Sequence, residues 1–214
     1  MHLEILVEDS SGKRLLENLV PRIIGQHGAP HTYNFHAYKG IGKIPSNLSP
    51  KTAANKRILL DQLPRILKGY ASTPGIDCVV VVVDSDRKNC AAFLHELKQV
   101  AAQAGLPNTL FRIAIEEVEA WYLGDQDAIK LAYPRAKLSA ANNYQQDSVV
   151  GTWELVADIT YPGGRKAVER AGWPLPGDLK HEWAERIGPV MNLEKNASPS
   201  FKKLIDGLKR ITGS

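Results

Sequence analysis

Acidic side chains stand at three places where an apolar run of this chain stops. "LEILVE" (3–8) closes on Glu8 and is followed by Asp9. "VVVVVDSD" (79–86) closes on Asp84 and Asp86, and "TLFRIAI" (109–115) runs straight into Glu116, Glu117 and Glu119. Carboxylates crowded together repel unless something neutralises them. A hard divalent cation does this best: Mg²⁺ takes oxygen ligands from one or two carboxylates, waters and substrate phosphates. Side chains i and i+2 of a strand share a side, so Asp84 and Asp86 are expected to reach one Mg²⁺ or Mn²⁺, directly or through water. Glu8 and Glu119 are candidates for a second ion or for positioning an attacking water. Two ions about 3.5–4 Å apart would stabilise both the attacking and the leaving oxygen of a phosphodiester. Within the last cluster Glu119 is the preferred ligand and Glu116 the second. The competing reading is plainer: an Asp at a strand end often caps the next helix, and Asp9 or Asp86 fits that role.

These acids matter only if the fold brings them together. "LEILVE" is a strand by its β-branched and leucine content. Leu15, Leu16, Leu19, Val20, Ile23 and Ile24 recur at helical spacing, with Pro21 expected to kink or shorten their helix. "HTYNFHAY" (31–38) predicts a second strand, "KGIGKIPSNLSP" (39–50) a loop, and Ile58, Leu59, Leu63, Ile66, Leu67 and Tyr70 one face of a second helix. "DCVVVVVDSD" is apolar without alternation, the pattern of a strand buried on both faces of a parallel sheet. "NCAAFLHELKQVAAQAG" is a third helix stopping at Gly105, and "TLFRIAI" a fourth strand. The alternation predicts an α/β fold: a mostly parallel four-stranded sheet flanked by helices. Parallel strands end at one edge, where open α/β sheets place their ligands, so all three acidic clusters converge on one rim. After about residue 126, "YPGGRK", "GWPLPGD" and "RIGP" interrupt short helical pieces and no strand is evident. Residues 1–138 are read as the core and 139–214 as a helical, loop-rich extension packed on it.

The chain has 214 residues and a formal charge of +4, a mild excess that permits an anionic partner without requiring one. Its two cysteines, Cys78 and Cys90, do not form a Cys-x-x-Cys pair and suit a reducing compartment. "MHLEILVED" lacks the features of a signal peptide, and no long apolar run predicts a membrane span. A cytoplasmic protein is expected.

The glutamate in "ILVEDSSGKRLL", the Asp-x-Asp in "VVVVVDSD" and the alternation between them resemble the Toprim domain of topoisomerases, primases and some nucleases, over about residues 1–125. "AIEEVEAWYLGD" and "NASPSFKKLIDGL" extend the likeness to small bacterial Toprim-like proteins of unknown function, often encoded beside an ATPase and suspected in phage defence. The resemblance implies that Glu8 is a metal ligand or general acid/base, that Asp84 and Asp86 are metal ligands, and that Glu119 is the later acidic ligand. Two positions depart from the pattern: Asp9 replaces the usual glycine, and Gly12 stands where many Toprim nucleases carry a second acid. With no topoisomerase tyrosine domain or primase zinc domain, a divalent-metal-dependent nuclease on DNA or RNA is the expected function, as an effector with an ATPase partner. A non-catalytic metal-binding assembly module and a nucleotide-sugar transferase are the alternatives.

Four basic residues are candidate substrate contacts. Lys39 and Lys43, in a glycine-containing loop, could grip phosphate or simply be solvated. Arg87 and Lys88 follow the Asp pair and could meet the substrate backbone, against a solvated helix start. His27, His31 and His36 match no zinc spacing. Ser10 and Ser11 are read as helix-capping, because no base for a covalent serine mechanism is indicated. Trp121, Trp153, Trp173 and Trp183 are expected in packing roles.

Overall fold

The computed structural model describes residues 1–213. Four strands form one sheet: β1 (His2–Val7), β2 (Thr32–Ala37), β3 (Cys78–Asp84) and β4 (Leu110–Ala114). Their order is β2-β1-β3-β4 and every pairing is parallel. The strands connect through α1 (Ser10–Ile24), α2 (Leu59–Ala71) and α3 (Cys90–Gln103). From β1 the chain moves outward to β2, then crosses back to β3 on the other side of β1. The gap between the carboxyl ends of β1 and β3 is therefore the topological switch point, where such sheets bind ligands.

The alternation of side chains divides the core in two. Val79, Val81, Val83 and Phe111 face α2 and α3, meeting Leu59, Leu63, Leu67, Phe93 and Leu97. Leu3, Ile5, Val7, Val80 and Val82 face α1. The valine run is buried on both faces, which is why it shows no alternation.

The second face also receives the later part of the chain. α4 (Glu119–Leu123), α5 (Gln126–Ala132), α6 (Thr152–Thr160), α7 (Gly164–Ala171), α8 (Leu175–Arg186) and α9 (Pro199–Thr212) follow β4, with no further strand among the described residues. Trp121, Trp183 and Phe201 are fully buried and belong to the same cluster as the α1 leucines and the β1 side chains. The extension is thus built into the core of the sheet. Asn18 and Arg22 tie α1 to this layer, donating to the carbonyls of Ala184 (3.1 Å) and Gly188 (2.9 Å).

Two local expectations are corrected. Pro21 does not shorten α1, which continues past it to Ile24. Trp173 is 82% exposed and packs in no core; its ring lies against Gly177, where a Cβ would stand 2.8 Å from it. Gly105 does close α3, in the left-handed conformation at φ 85°. No helix among the described residues is long and apolar enough to cross a membrane.

Because one core joins the sheet to the C-terminal helices, Leu15→Ala, at a fully buried site on α1, should cost about 3 kcal/mol. Urea unfolding followed by tryptophan fluorescence and far-ultraviolet dichroism should give coincident single transitions. Separate transitions would show two independent cores.

Candidate active site

The rim forms where three strands stop. Asp84 is the last residue of β3, on the side facing α1, and its backbone N–H donates to Glu8 Oε2 (3.1 Å). That bond crosses the switch point and sets Glu8 against the end of β3. After β4 the chain turns through Ile115–Val118 into α4, whose first residue, Glu119, is 1% exposed. Against these acids α8 supplies one cation: Lys180 Nζ lies 2.9 Å from Glu117 Oε1 and 3.6 Å from Glu119 Oε1. The other oxygens, Glu117 Oε2 and Glu119 Oε2, are buried with no hydrogen-bond partner among the described residues.

The electrostatics follow from this crowding. Burial, opposed by the Asp84 N–H and aided by Asp86 and Asp9, pushes the Glu8 carboxyl up to about 7. Burial raises Asp84 well above the usual carboxylate range, and Glu8 and Glu119 add to the shift. Glu119 also rises to about 7, through burial and Glu117, although Lys180 pulls it down. Lys180 stays charged: Glu119 and Glu117 hold its ammonium above its ordinary value despite burial. One lysine does not neutralise four neighbouring carboxyl groups.

The predicted residues divide by position. Glu8, Asp84 and Glu119 come together and interact electrostatically. Asp86 does not continue the strand: it sits in a turn at φ 48°, exposed, with Lys88 Nζ 3.3 Å from its carboxylate. The same-side argument for Asp84 and Asp86 therefore fails, since strand geometry ends at Asp84. Glu116 spends its carboxylate on the backbone N–H groups of Val150, Gly151 and Thr152 (2.9–3.2 Å), holding the start of α6. Its own left-handed backbone (φ 61°) is the bend that aims it there. Asp9 caps α1, accepting from the Gly12 N–H (2.6 Å) and the Ser11 hydroxyl (3.0 Å). Gly12 is buried, and a Cβ there would lie 3.0 Å from Val7 and 3.1 Å from the Asp9 carboxylate. A larger side chain at this position would have to displace Val7 or the Asp9 carboxylate.

The basic candidates also separate. Lys88 is engaged by Asp86 and by the Phe93 ring, 4.8 Å from its centroid. Arg87 is exposed and lines a recess of about 510 Å³ with Asp86, Glu117, Trp153 and Glu154. Lys39 and Lys43 are exposed in the loop after β2, and that loop begins against the rim, with the Gly40 N–H bonded to the Glu8 carbonyl (3.1 Å). Two residues escaped the sequence reading. Lys180 lies in an unremarkable helical stretch, "DLKHEW". His181 Nε2 hydrogen-bonds Ser10 Oγ (2.9 Å), so Ser10 does have an imidazole beside it.

Do these residues suit a divalent ion? Among the described residues no three His, Cys, Asp or Glu side chains already enclose a metal position. The donor set nevertheless fits a hard cation. The donors are all carboxyl oxygens, burial and mutual repulsion raise them above the ordinary carboxylate range, and two buried oxygens lack a partner. Mg²⁺ needs only one or two such ligands, completing its shell with water and substrate.

The sequence matches a family described as a domain of unknown function, DUF4276, over residues 7–209. The chain belongs to that family. No curated protein and no solved structure matches it.

The raised Glu8 carboxyl has a stability consequence of definite sign. Its ionisation opposes folding, so the stabilising protonated state is complete below about pH 4.5 and lost as pH rises through about 7. In divalent-free buffer Glu8→Gln should therefore exceed the wild type in stability by about 1–2 kcal/mol at pH 8. The two should converge near pH 4.5, as read from urea unfolding at both pH values.

Proposed function

We propose that this DUF4276 protein is a Mg²⁺- or Mn²⁺-dependent phosphodiesterase acting on DNA or RNA. One observation carries the reading: the carboxyl groups of half-buried Glu8 and Asp84 and of buried Glu119 meet at the switch point of a parallel sheet, with a partnerless oxygen on Glu119. Such an assembly costs stability in the free protein, which makes sense if a cation relieves it. Glu8, Asp84 and Glu119 would hold the ion. Bound there, a divalent cation supplies Lewis-acid polarisation of a phosphoryl oxygen and counter-charge for the transition state.

The chain's own groups supply the rest. Glu8, fixed to the end of β3 by the Asp84 N–H, would lose its proton as the ion binds and present a carboxylate to the ion or to a water beside it. Lys180 keeps a fixed positive charge beside the reacting group. Lys39 and Lys43 on one flank and Arg87 on the other can meet phosphates along a strand. Trp153, half-buried in the recess beside Glu117, offers a face on which a base could stack. The Toprim resemblance supports the same reading from the sequence side. An ATPase partner and a role in bacterial defence rest on that resemblance alone and are proposed on that footing.

A second reading, an ion-holding assembly module without catalysis, draws support from Gly12 and from the use of Glu116 and Asp9 in backbone capping. One panel separates the two: plasmid and single-stranded DNA, transfer RNA, other RNA and a dinucleotide, each with Mg²⁺ or Mn²⁺. The phosphodiesterase reading expects cleavage of at least one substrate, reduced about 100-fold or more in Asp84→Asn with folding intact. Cleavage by Asp84→Asn at the wild-type rate overturns it. Ion binding without cleavage of any substrate favours the assembly module.

A further inference from the structure

A cavity of about 700 Å³ lies away from the acidic rim, along the free edge of β4. β4 ends the sheet, so one side of its backbone has no strand neighbour. The carbonyls of Ala114 and Glu116 turn inward, to the N–H groups of Ser85 (2.9 Å) and Asp86 (3.0 Å). Backbone groups of successive strand residues alternate in direction, so Phe111 and Ile113 turn theirs outward into the cavity. The Phe111 carbonyl accepts from Arg112 Nη1 (2.7 Å). The two N–H groups and the Ile113 carbonyl have no partner among the described residues.

The walls of this groove differ in character. On the α3 side stand Ala91, Leu94 and Ile113, which are apolar. On the α9 side stand Arg112, Lys203 and Arg210. Arg112 crosses α9 at Gly207, where a Cβ would lie 1.9 Å from its Nη2, so glycine alone makes room for the guanidinium. Its Nε is buried without a partner. Of the two acids in the groove, Asp147 is committed to the Ser200 N–H (2.6 Å) and the Ser198 hydroxyl (2.7 Å). That leaves Asp206 against three cations.

We propose that this groove binds an extended segment of a partner protein as a fifth strand, one whose side chains alternate apolar and acidic. Main-chain bonds to Phe111 and Ile113 would give affinity, and the two unlike walls would read alternate side chains. The segment's apolar face would lie on Ala91 and Leu94, and its carboxylates would meet Lys203 and Arg210. A second copy of β4 does not suit the site, because two edges recessed between the same helices cannot approach each other. The proposal is independent of the phosphodiesterase reading, since the groove shares no residue with Glu8, Asp84 or Glu119.

The test uses the full chain and a capped heptapeptide alternating valine and glutamate, with a valine–lysine peptide of equal length as control. Binding is measured by calorimetry, and amide hydrogen exchange is followed at Phe111 and Ile113. The expected result is binding of the glutamate peptide alone, with slowed exchange at both amides. Lys203→Glu combined with Arg210→Glu, on the exposed face of α9, should weaken binding about tenfold or more. Ile113→Pro removes an outward N–H without touching the ladder to β3 and should also weaken it, a substitution edge strands tolerate. Equal binding of both peptides, or binding without protection of β4, overturns the proposal. So does concentration-dependent protection of β4 without peptide, accompanied by dimer in sedimentation, which would assign the edge to a second copy.

Discussion

The repulsion among carboxylates at the end of the sheet is the constraint around which the rest of the molecule is arranged. Glu8, Asp84 and Glu119 are drawn together by backbone that has little freedom to move. β1 and β3 are adjacent hydrogen-bonded strands, and the Asp84 N–H fastens Glu8 to the end of β3. Two valine layers on β3, buried on both faces, hold that end still. A flexible loop would relieve the repulsion by swinging an acid into water; a strand locked in the core cannot. The acids therefore hold their protons well above the ordinary carboxylate range, with Lys180 as the partial counterweight.

The C-terminal helices make the same point from the other side. They bury Trp183 and carry Lys180 onto the rim from α8, while α4 sets Glu119 beneath it. Glu116 holds the start of α6, and Asp125 accepts from the Asn192 N–H (2.6 Å), pinning the approach to α9. Several acids near the rim thus serve as fasteners, and the fasteners shape the recess in which Arg87 and Trp153 lie. The fasteners have their oxygens occupied, Glu116 by three backbone N–H groups and Asp9 by the Gly12 N–H and the Ser11 hydroxyl, whereas Glu119 retains a buried oxygen with no donor.

Much of this was legible in the sequence, for identifiable reasons. The unalternating valines announced a parallel central strand, and the alternation of apolar runs and helical stripes predicted the α/β sheet that the structure has. The convergence of Glu8, Asp84 and Glu119 followed from parallel topology, because every strand then ends at one edge. The sequence misled where local backbone departs from ideal geometry. Asp86 looked like a partner of Asp84 by strand periodicity, but the chain leaves the strand after Asp84 and turns through a left-handed residue. Glu116 looked like a rim acid, and its left-handed backbone sends it to α6 instead. Lys180 and His181 were invisible for a different reason. They reach the rim only through the packing of α8 on α1, a contact between distant segments that no short window of sequence encodes.

The central claim is that a divalent cation relieves the repulsion at this rim by replacing its protons, and proton release on binding tests it most directly. Titration calorimetry with Mg²⁺ and Mn²⁺ in buffers of different ionisation enthalpy counts the protons displaced. With Glu8 and Glu119 both raised to about 7 and the Asp84 carboxyl raised as well, ion binding at pH 6.5 should release more than one proton. The release should shrink at pH 9, where Glu8 and Glu119 are already ionised, and should diminish in Glu8→Gln. Binding at pH 6.5 without proton release, or no binding of either ion, would contradict the account.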